Sequence, residues 1–240
     1  TEHLARSRAG CLDLIVASNQ PSPPMHFVAW DIETCPRPYE SLSTAHQKRQ
    51  KKEYEYQSRK DRDQPADEIK NRAGGTHPLL GWICCISMVS GDESRVGTPK
   101  SWTAAELADE KALLEEFWTF VQSLSDGLRW VTFYGKRFDV PFVKARSLKH
   151  GLAPTRKDIL DTYPYSQDPH VDLANLIGGN TFYSLEDLCD HLDVESPKTG
   201  FDGSDVAPAV EEGRIDEVRD YCERDVVATL QCAQRAMPML

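Results

Sequence analysis

The sequence lacks any apolar run long enough to span a bilayer, which requires about 20 consecutive apolar residues. Its longest apolar run, Leu79 to Val89, contains one glycine and one serine. A run of this length predicts a buried strand in a water-soluble domain. We therefore expect no membrane association.

Positive charge is also scarce. The 240 residues include 28 Lys and Arg against 38 Asp and Glu, which gives a net charge of −10. This balance argues against a protein that binds nucleic acid across a broad basic surface. It does not exclude an enzyme that meets phosphate through metal ions, because bound cations neutralise clustered carboxylates.

The seven cysteines follow neither CxxC spacing nor a Cys/His spacing typical of zinc sites. They indicate buried, reduced thiols, and we expect a cytoplasmic protein. Near the N-terminus, Arg6 and Arg8 precede a short apolar stretch that Asp13 interrupts, which is a poor signal peptide. We interpret residues 1–24 as an appendage, disordered or non-native, to a single domain spanning residues 25–240.

The hydrophobic pattern predicts strands in sequence, followed by strands that alternate with helices. Residues 27–33 are apolar on both faces, which is typical of a central strand. The other predicted strands are 82–90 and 94–102, which form a hairpin, 130–134, and a short strand ending at Val171. Helices are predicted at 104–124, 141–149 and 215–236, with another that begins at a Ser184 capping box. We predict an α/β three-layer fold with a mixed central sheet flanked by helices.

A charged insertion at residues 39–75 departs from this compact pattern. Its basic residues outnumber its acidic residues, although the whole chain is acidic. We expect a solvent-exposed helical excursion. The second interpretation is a mobile flap that touches the nucleic-acid backbone, for which the basic candidates are Lys48, Arg49, Lys51 and Lys52.

Carboxylates follow two of the predicted strands. Asp31 and Glu33 lie two residues apart at a strand end, so both side chains project to the same face. Asp139 lies in the first turn of a helix, where the helix N-terminus favours an ionised carboxylate. Each pattern alone is common at strand ends and helix starts. Together these oxygen ligands suit Mg²⁺ or Mn²⁺.

On the last predicted helix, Tyr221 and Asp225 lie four residues apart at the edge of the apolar stripe. Two cations about 4 Å apart can stabilise the attacking and leaving oxygens of phosphodiester hydrolysis. Holding them requires several carboxylates from different elements, here Asp31, Glu33, Asp139 and Asp225. Tyr221 would hydrogen-bond the attacking water and assist its deprotonation.

Three segments that contain these residues resemble the exonuclease motifs of the DEDD superfamily, and they span Phe27 to Thr34, Phe133 to Pro141, and Tyr221 to Asp225. Tyrosine four residues before the last aspartate is similar to the DEDDy branch. From about residue 27 to 235, the chain resembles predicted 3′–5′ exonucleases related to the proofreading domain of family B DNA polymerases. The resemblance implies an RNase H-like fold and two divalent cations, Mg²⁺ or Mn²⁺. It also implies release of nucleoside 5′-monophosphates from a free 3′ end, single-stranded or frayed, with DNA favoured.

Tyr134 departs from that family, which usually carries asparagine at this place. The candidate substrate contacts are Thr34, Tyr134, Lys136, Arg137 and Phe138. Lys136 and Arg137 are candidates for phosphate, although loop cations are usually only solvated. Asp172, at the end of a predicted strand, caps the following turn or supports the site.

Three alternatives remain open. The first is an exoribonuclease, because no residue is identified that reads the 2′-hydroxyl. The second is a catalytically silent nucleic-acid-binding module of the same fold, which the presence of all five motif residues disfavours. The third is an RNase H-like endonuclease or integrase core, which does not require Tyr221. A polymerase or repair partner and the oligomeric state also stay open.

Overall fold

The computed structural model of the protein describes residues 26–60, 62–178 and 181–240. The predicted appendage at residues 1–24 lies outside this part of the chain. The strands are β1 (Phe27–Pro36), β2 (Gly81–Gly91), β3 (Lys100–Thr103), β4 (Arg129–Thr132) and β5 (His170–Asp172). The α-helices are α1 (Thr44–Lys60), α2 (Ala66–Gly75), α3 (Glu110–Ser123), α4 (Asp139–His150), α5 (Leu185–His191), α6 (Val206–Glu211) and α7 (Ile215–Ala236).

The five strands form one mixed sheet in the order β3-β2-β1-β4-β5. β2 pairs antiparallel with both β1 and β3, whereas β4 pairs parallel with both β1 and β5. β1 is therefore the central strand, which explains why residues 27–33 are apolar on both faces. The predicted mixed sheet with flanking helices is confirmed.

Alternate residues of β1 belong to two different cores. Val28, Trp30 and Ile32 pack into the core on the side of α3 and α4. Phe27 and Ala29 pack against apolar residues of α7 on the opposite side. Because side chains alternate along a strand, the next residues on the α7 side are Asp31 and Glu33. The polar end of β1 therefore faces α7.

Three predicted boundaries were wrong. The helix predicted from residue 104 begins at Glu110, because the Ala104 amide donates to the Cys84 carbonyl at 2.8 Å and stays with the sheet. The strand predicted through residue 134 ends at Thr132, and Tyr134 has a left-handed backbone with φ of 64°. The strand predicted at 94–102 is the shorter β3. None of the helices in the described segments combines the length and apolarity needed to cross a membrane.

The charged insertion is helical, as predicted. α1 buries only Gln50, whereas α2 buries its C-terminal part against the end of β1. A Cβ added to Gly74 would lie 2.7 Å from the Cβ of Pro36, so this approach requires glycine. The Thr34 hydroxyl also donates to the Gly75 carbonyl at 2.9 Å. The insertion thus continues the wall of the domain beside the carboxyl end of β1.

Candidate active site

A β-bulge lies beside the acidic end of β1. Glu33 is opposite Cys85 and Thr34 is opposite Ile83, which leaves Cys84 without a partner on β1. Bulges redirect nearby side chains and are over-represented next to active sites. Because of this bulge, β1 pairs with β2 in one register up to Glu33 and in another register from Thr34 onward.

The bulge is fixed by a buried ionic network that the sequence analysis did not identify. The Ile83 amide donates to Glu110 at 2.8 Å. The same fully buried carboxylate accepts two bonds from Arg146, at 2.7 and 2.6 Å, and lies 2.7 Å from His150 Nε2. A glutamate at a helix start usually faces solvent, so only the fold reveals this role.

Asp139 is held against β1 although it lies on α4. Its Oδ1 accepts a hydrogen bond from the Ile32 amide at 3.0 Å, between the two β1 carboxylates. Its side chain also forms a hydrogen bond with Asp31. Asp139 is 1% exposed, whereas Glu33 is 9% exposed. Three of the predicted acidic residues therefore meet at one place, on two different elements.

α7 brings Tyr221 and Asp225 to the same place. The Tyr221 hydroxyl donates a hydrogen bond to the Asp225 carboxylate, one helical turn away. Tyr221 is 8% exposed, and the ring of Phe201 packs on it with the ring centroids 5.3 Å apart. The five predicted motif residues thus form one cluster, which consists of Asp31, Glu33, Asp139, Tyr221 and Asp225.

Burial raises the pKa of every carboxylate in the cluster. Burial and then the neighbouring Asp139, Glu33 and Asp225 hold the pKa of Asp31 well above its usual range. Burial, and then mainly Asp225, raises the pKa of Glu33 in the same way. The pKa rises to about 7 for Asp139 and to about 6 for Asp225. Such a cluster binds protons or cations, because like charges in a buried site repel one another.

The donor set fits divalent cations. Four carboxylates supply hard oxygen ligands of the kind that Mg²⁺ and Mn²⁺ prefer. One sulfur is close by, since donor atoms of Asp31, Glu33 and Cys222 all lie within 4.8 Å of one another. Burial and Cys85 raise the pKa of the Cys222 thiol well above its ordinary value, so the thiol stays protonated. The carboxylates are therefore the ligands available to a hard cation.

Asp172 holds the turn that precedes Asp139. Its carboxylate accepts hydrogen bonds from the amides of Tyr134 at 2.7 Å, Lys136 at 3.1 Å and Ala174 at 3.1 Å. The bond from Ala174 confirms the predicted cap of the following turn. The other two show that Asp172 also fixes the turn of residues 134–138, which leads into α4.

The prediction that Lys136 contacts substrate phosphate is wrong. Its side chain is fully buried, and its ammonium donates to Asp161 at 2.8 Å and to the carbonyls of Tyr163 and Ser166 at 2.7 Å each. All of these acceptors belong to the connection between α4 and β5. Asp161 lies 25 residues from Lys136 in the sequence, so the residues around Lys136 gave no sign of this partner. Lys136 therefore resembled an exposed loop cation.

A cleft of about 510 Å³ opens above the cluster. Glu33, Thr34, Phe138 and Tyr221 line its floor, so two predicted substrate contacts, Thr34 and Phe138, face it. α2, the preceding Gln64 and residues 198–204 contribute to its walls. The lining residues are Gln64, Glu68, Asn71, Arg72, Lys198, Asp202, Gly203 and Ser204. The second interpretation of the charged insertion, in which basic residues of α1 touch substrate, is not supported by this cleft, because α2 lines it and α1 does not. Tyr134 and Arg137 do not line this cleft.

One family of sequences matches most of the chain. Its description is "Predicted 3′-5′ exonuclease related to the exonuclease domain of PolB", and the match covers residues 76–239. The matched part contains Asp139, Tyr221 and Asp225 and begins after Asp31 and Glu33. Among curated proteins, no sequence matches the chain significantly.

Two solved structures are similar to the chain. The family B DNA polymerase from the hyperthermophilic archaeon Pyrobaculum calidifontis has a TM-score of 0.61 and 20% identity, over 90% of this chain and 25% of the polymerase. Exonuclease I from E. coli, in complex with a dT13 oligonucleotide, has a TM-score of 0.45 and 13% identity, over 88% of this chain and 41% of that protein. The chain thus spans about a quarter of the polymerase and two fifths of exonuclease I. The likeness to the polymerase shows the fold, and the predicted RNase H-like arrangement is confirmed.

Proposed function

Because the chain belongs to the family of predicted 3′–5′ exonucleases related to the exonuclease domain of PolB, we propose that it removes nucleoside 5′-monophosphates from the 3′ ends of nucleic acid. The metal ligands in this proposal are Asp31, Glu33, Asp139 and Asp225. The observation that carries it is the convergence of these four carboxylates from three elements, with Glu33 and Asp139 buried and Asp31 and Asp225 half-buried, at a cleft that Glu33 lines. Two Mg²⁺ or Mn²⁺ ions would be held there, as in other two-metal phosphodiesterases.

When bound, the cations neutralise charge on the phosphate and activate water for attack. In this proposal, the residues of the chain hold the cations and keep the ligand side chains in position. Asp139 is fixed to the Ile32 amide, so its position does not depend on a bound ion. Asp172 in turn holds the turn of residues 134–138, which ends at Asp139. These contacts support a preorganised ligand geometry.

Tyr221 has the role of a positioning group in this proposal. Burial and the nearby Glu33, Asp225 and Asp31 raise the pKa of its phenol far above the ordinary value, so the hydroxyl keeps its proton. A protonated phenol is a poor base but a good hydrogen-bond partner for water. We therefore assign Tyr221 to orienting the attacking water, with Asp225 fixing its hydroxyl, and not to removing the proton.

DNA is the favoured substrate, because the family is related to the exonuclease domain of a DNA polymerase. RNA is the close alternative, since no residue lining the cleft has been assigned to the 2′-hydroxyl. Of the predicted substrate contacts, Thr34 and Phe138 line the cleft and are retained here. A silent binding module of the same fold is the alternative that the following experiment tests.

The test is the digestion of 5′-labelled single-stranded DNA and RNA with Mg²⁺ or Mn²⁺, followed by separation of the products by length. We expect a ladder of products shortened from the 3′ end. Asp31→Ala should abolish the ladder, whereas Asp190→Ala, an exposed acid on α5, should retain it. If neither polymer is digested although Mn²⁺ binding is measured by calorimetry, the silent binding module replaces the exonuclease.

A further inference from the structure

A second groove, of about 250 Å³, lies next to the candidate active site and is rich in aromatic residues. We call it the aromatic groove, and it is lined chiefly by Tyr134, Arg137, Pro164, Tyr165, Phe182 and Tyr183. The Tyr165 side chain is 81% exposed, Phe182 is 86% exposed and Tyr134 is 46% exposed. Large aromatic side chains normally contribute to folding by burial, which these three do not achieve.

The aromatic groove and the active-site cleft share one turn of the backbone. The amides of Arg137 and Phe138 both donate to the Tyr134 carbonyl, at 3.1 Å each, and Asp139 follows directly. Phe138 lines the active-site cleft, whereas Tyr134 and Arg137 line the groove. A polymer whose end occupies the cleft can therefore continue across this turn into the groove.

Tyr134 is held outward at an energetic cost. Its φ of 64° lies in the left-handed region, which disfavours residues other than glycine, asparagine and aspartate. The hydrogen bonds from Tyr134 and Lys136 to Asp172 hold this conformation. The guanidinium of Arg137 lies 5.8 Å from the centre of the tyrosine ring. Strained residues of this kind often serve a ligand, since folding gains little from a half-exposed ring.

The wall of the groove that contains Tyr165 is also held by hydrogen bonds. The buried ammonium of Lys136 holds the carbonyls of Tyr163 and Ser166, which flank Tyr165 in the sequence. The rings of Tyr163 and Tyr165 meet edge to face, with their centroids 5.7 Å apart. Tyr183, on the third wall, donates from its hydroxyl to the Leu173 carbonyl at 2.6 Å. Hydrogen bonds thus hold the Tyr134 backbone, the residues on both sides of Tyr165 and the Tyr183 side chain.

We propose that the aromatic groove stacks the bases of single-stranded nucleic acid upstream of the 3′ end that occupies the active site. This inference rests on the proposed exonuclease function. Aromatic rings stack on any exposed base, and Arg137 adds a positive charge for the backbone. The net charge of −10 disfavours binding through a broad basic surface, which leaves stacking as the principal source of affinity. Bases inside a duplex are already stacked, so the groove selects single strands.

The test is the affinity for a fluorescently labelled single strand of about 12 nucleotides, within the range of site sizes for such proteins. It uses the Asp225→Ala protein, so that the strand is not degraded, and fluorescence anisotropy. Tyr165→Ala and Phe182→Ala should each weaken binding roughly tenfold, the effect of losing one stacked base. Both side chains are more than 80% exposed, so neither substitution disturbs the core. Tyr56→Ala is the matched control, because Tyr56 is 65% exposed on α1, outside the groove.

Three outcomes would overturn the proposal. The first is unchanged affinity in both groove variants, and the second is an equal affinity of the Asp225→Ala protein for a blunt duplex of the same length. A concentration-dependent dimer in sedimentation that Phe182→Ala dissociates would also replace it, with a second copy of the chain as the occupant.

Hydrolysis of the p-nitrophenyl ester of thymidine 5′-monophosphate separates this proposal from the exonuclease itself. The ester offers one phosphodiester bond and no upstream bases. Hydrolysis by the parent protein but not by Asp31→Ala supports the active site whatever the groove variants do. If the parent protein does not hydrolyse the ester, the proposed function is refuted instead.

Discussion

Replacement of Asp139 by asparagine should stabilise the metal-free protein while it removes activity. Asparagine is nearly isosteric, so its Oδ1 can still accept from the Ile32 amide and its Nδ2 can donate to Asp31. What it loses is the buried negative charge. The variant therefore separates the structural role of this side chain from its role as a metal ligand.

The magnitude follows from the pKa of Asp139, which rises from 3.8 to about 7 on folding. A carboxyl whose pKa is raised contributes stability below its unfolded pKa, and this stability is lost as pH rises through the folded pKa. At pH 8, a difference of three pKa units lowers the free energy of unfolding by at most about 4 kcal/mol, and Asp139→Asn should remove this loss. At pH 5 the folded carboxyl is protonated, and the gain of Asp139→Asn should shrink to about 2 kcal/mol.

The assay is urea unfolding in EDTA at pH 8 and pH 5, with Asp190→Asn as the exposed control. Asp139→Asn should raise the free energy of unfolding at pH 8 and raise it less at pH 5. Added Mn²⁺ should stabilise the parent protein but not the variant, because a ligand that binds only the folded state raises its stability. A variant less stable than its parent at pH 8, or a gain that does not depend on pH, would refute the reasoning.

Three further predictions concern the water, the metal and the core. Tyr221→Phe should lower turnover roughly a hundredfold while Mn²⁺ affinity stays unchanged, and an equal loss of both in calorimetry and single-turnover digestion would contradict a positioning role. Mn²⁺ affinity should fall at least about twentyfold between pH 8 and pH 6, because protons compete at Asp139 and Asp225, and a pH-independent titration would exclude these ligands. Glu110→Gln should cost about 3–5 kcal/mol in urea unfolding, because it leaves Arg146 as an uncompensated buried charge. Glu110→Gln combined with Arg146→Met keeps an acceptor for the Ile83 amide and should recover much of that loss, and no recovery would mean that the unpaired charge of Arg146 is not the cause.

Elements with a long and regular pattern were predicted accurately. The last helix was predicted at 215–236 and is α7, Ile215–Ala236. The prediction was accurate because the apolar stripe of an amphipathic helix of six turns is long enough to show where the helix begins and ends. The capping box at Ser184 is also confirmed, with Asp187 as its partner. The five motif residues converge as expected, since their positions follow from strand ends and helix starts.

Features that depend on distant partners were not predictable. Lys136 resembles a solvated loop cation until Asp161 and the neighbouring carbonyls are placed around it. Glu110 resembles a surface residue at the start of a helix until Arg146 approaches from α4. The role of α2 was missed because its composition is polar, and only its tertiary packing brings it to the cleft. The cytoplasmic location expected from the cysteines stays a prediction.

The wide spacing of the carboxylates along the chain has a consequence for synthesis. The bond from the Ile32 amide to Asp139 joins residues 107 positions apart, and the contact of the Cys222 thiol with the Asp31 carbonyl joins residues 191 positions apart. Contacts of such long range form late and slowly, because the chain between them must first be ordered. A nascent chain that ends before α7 carries three of the four carboxylates but neither Asp225 nor Tyr221. On the proposed function, a ribosome that translates this protein is thus not exposed to a working nuclease until α7 has been made and has docked.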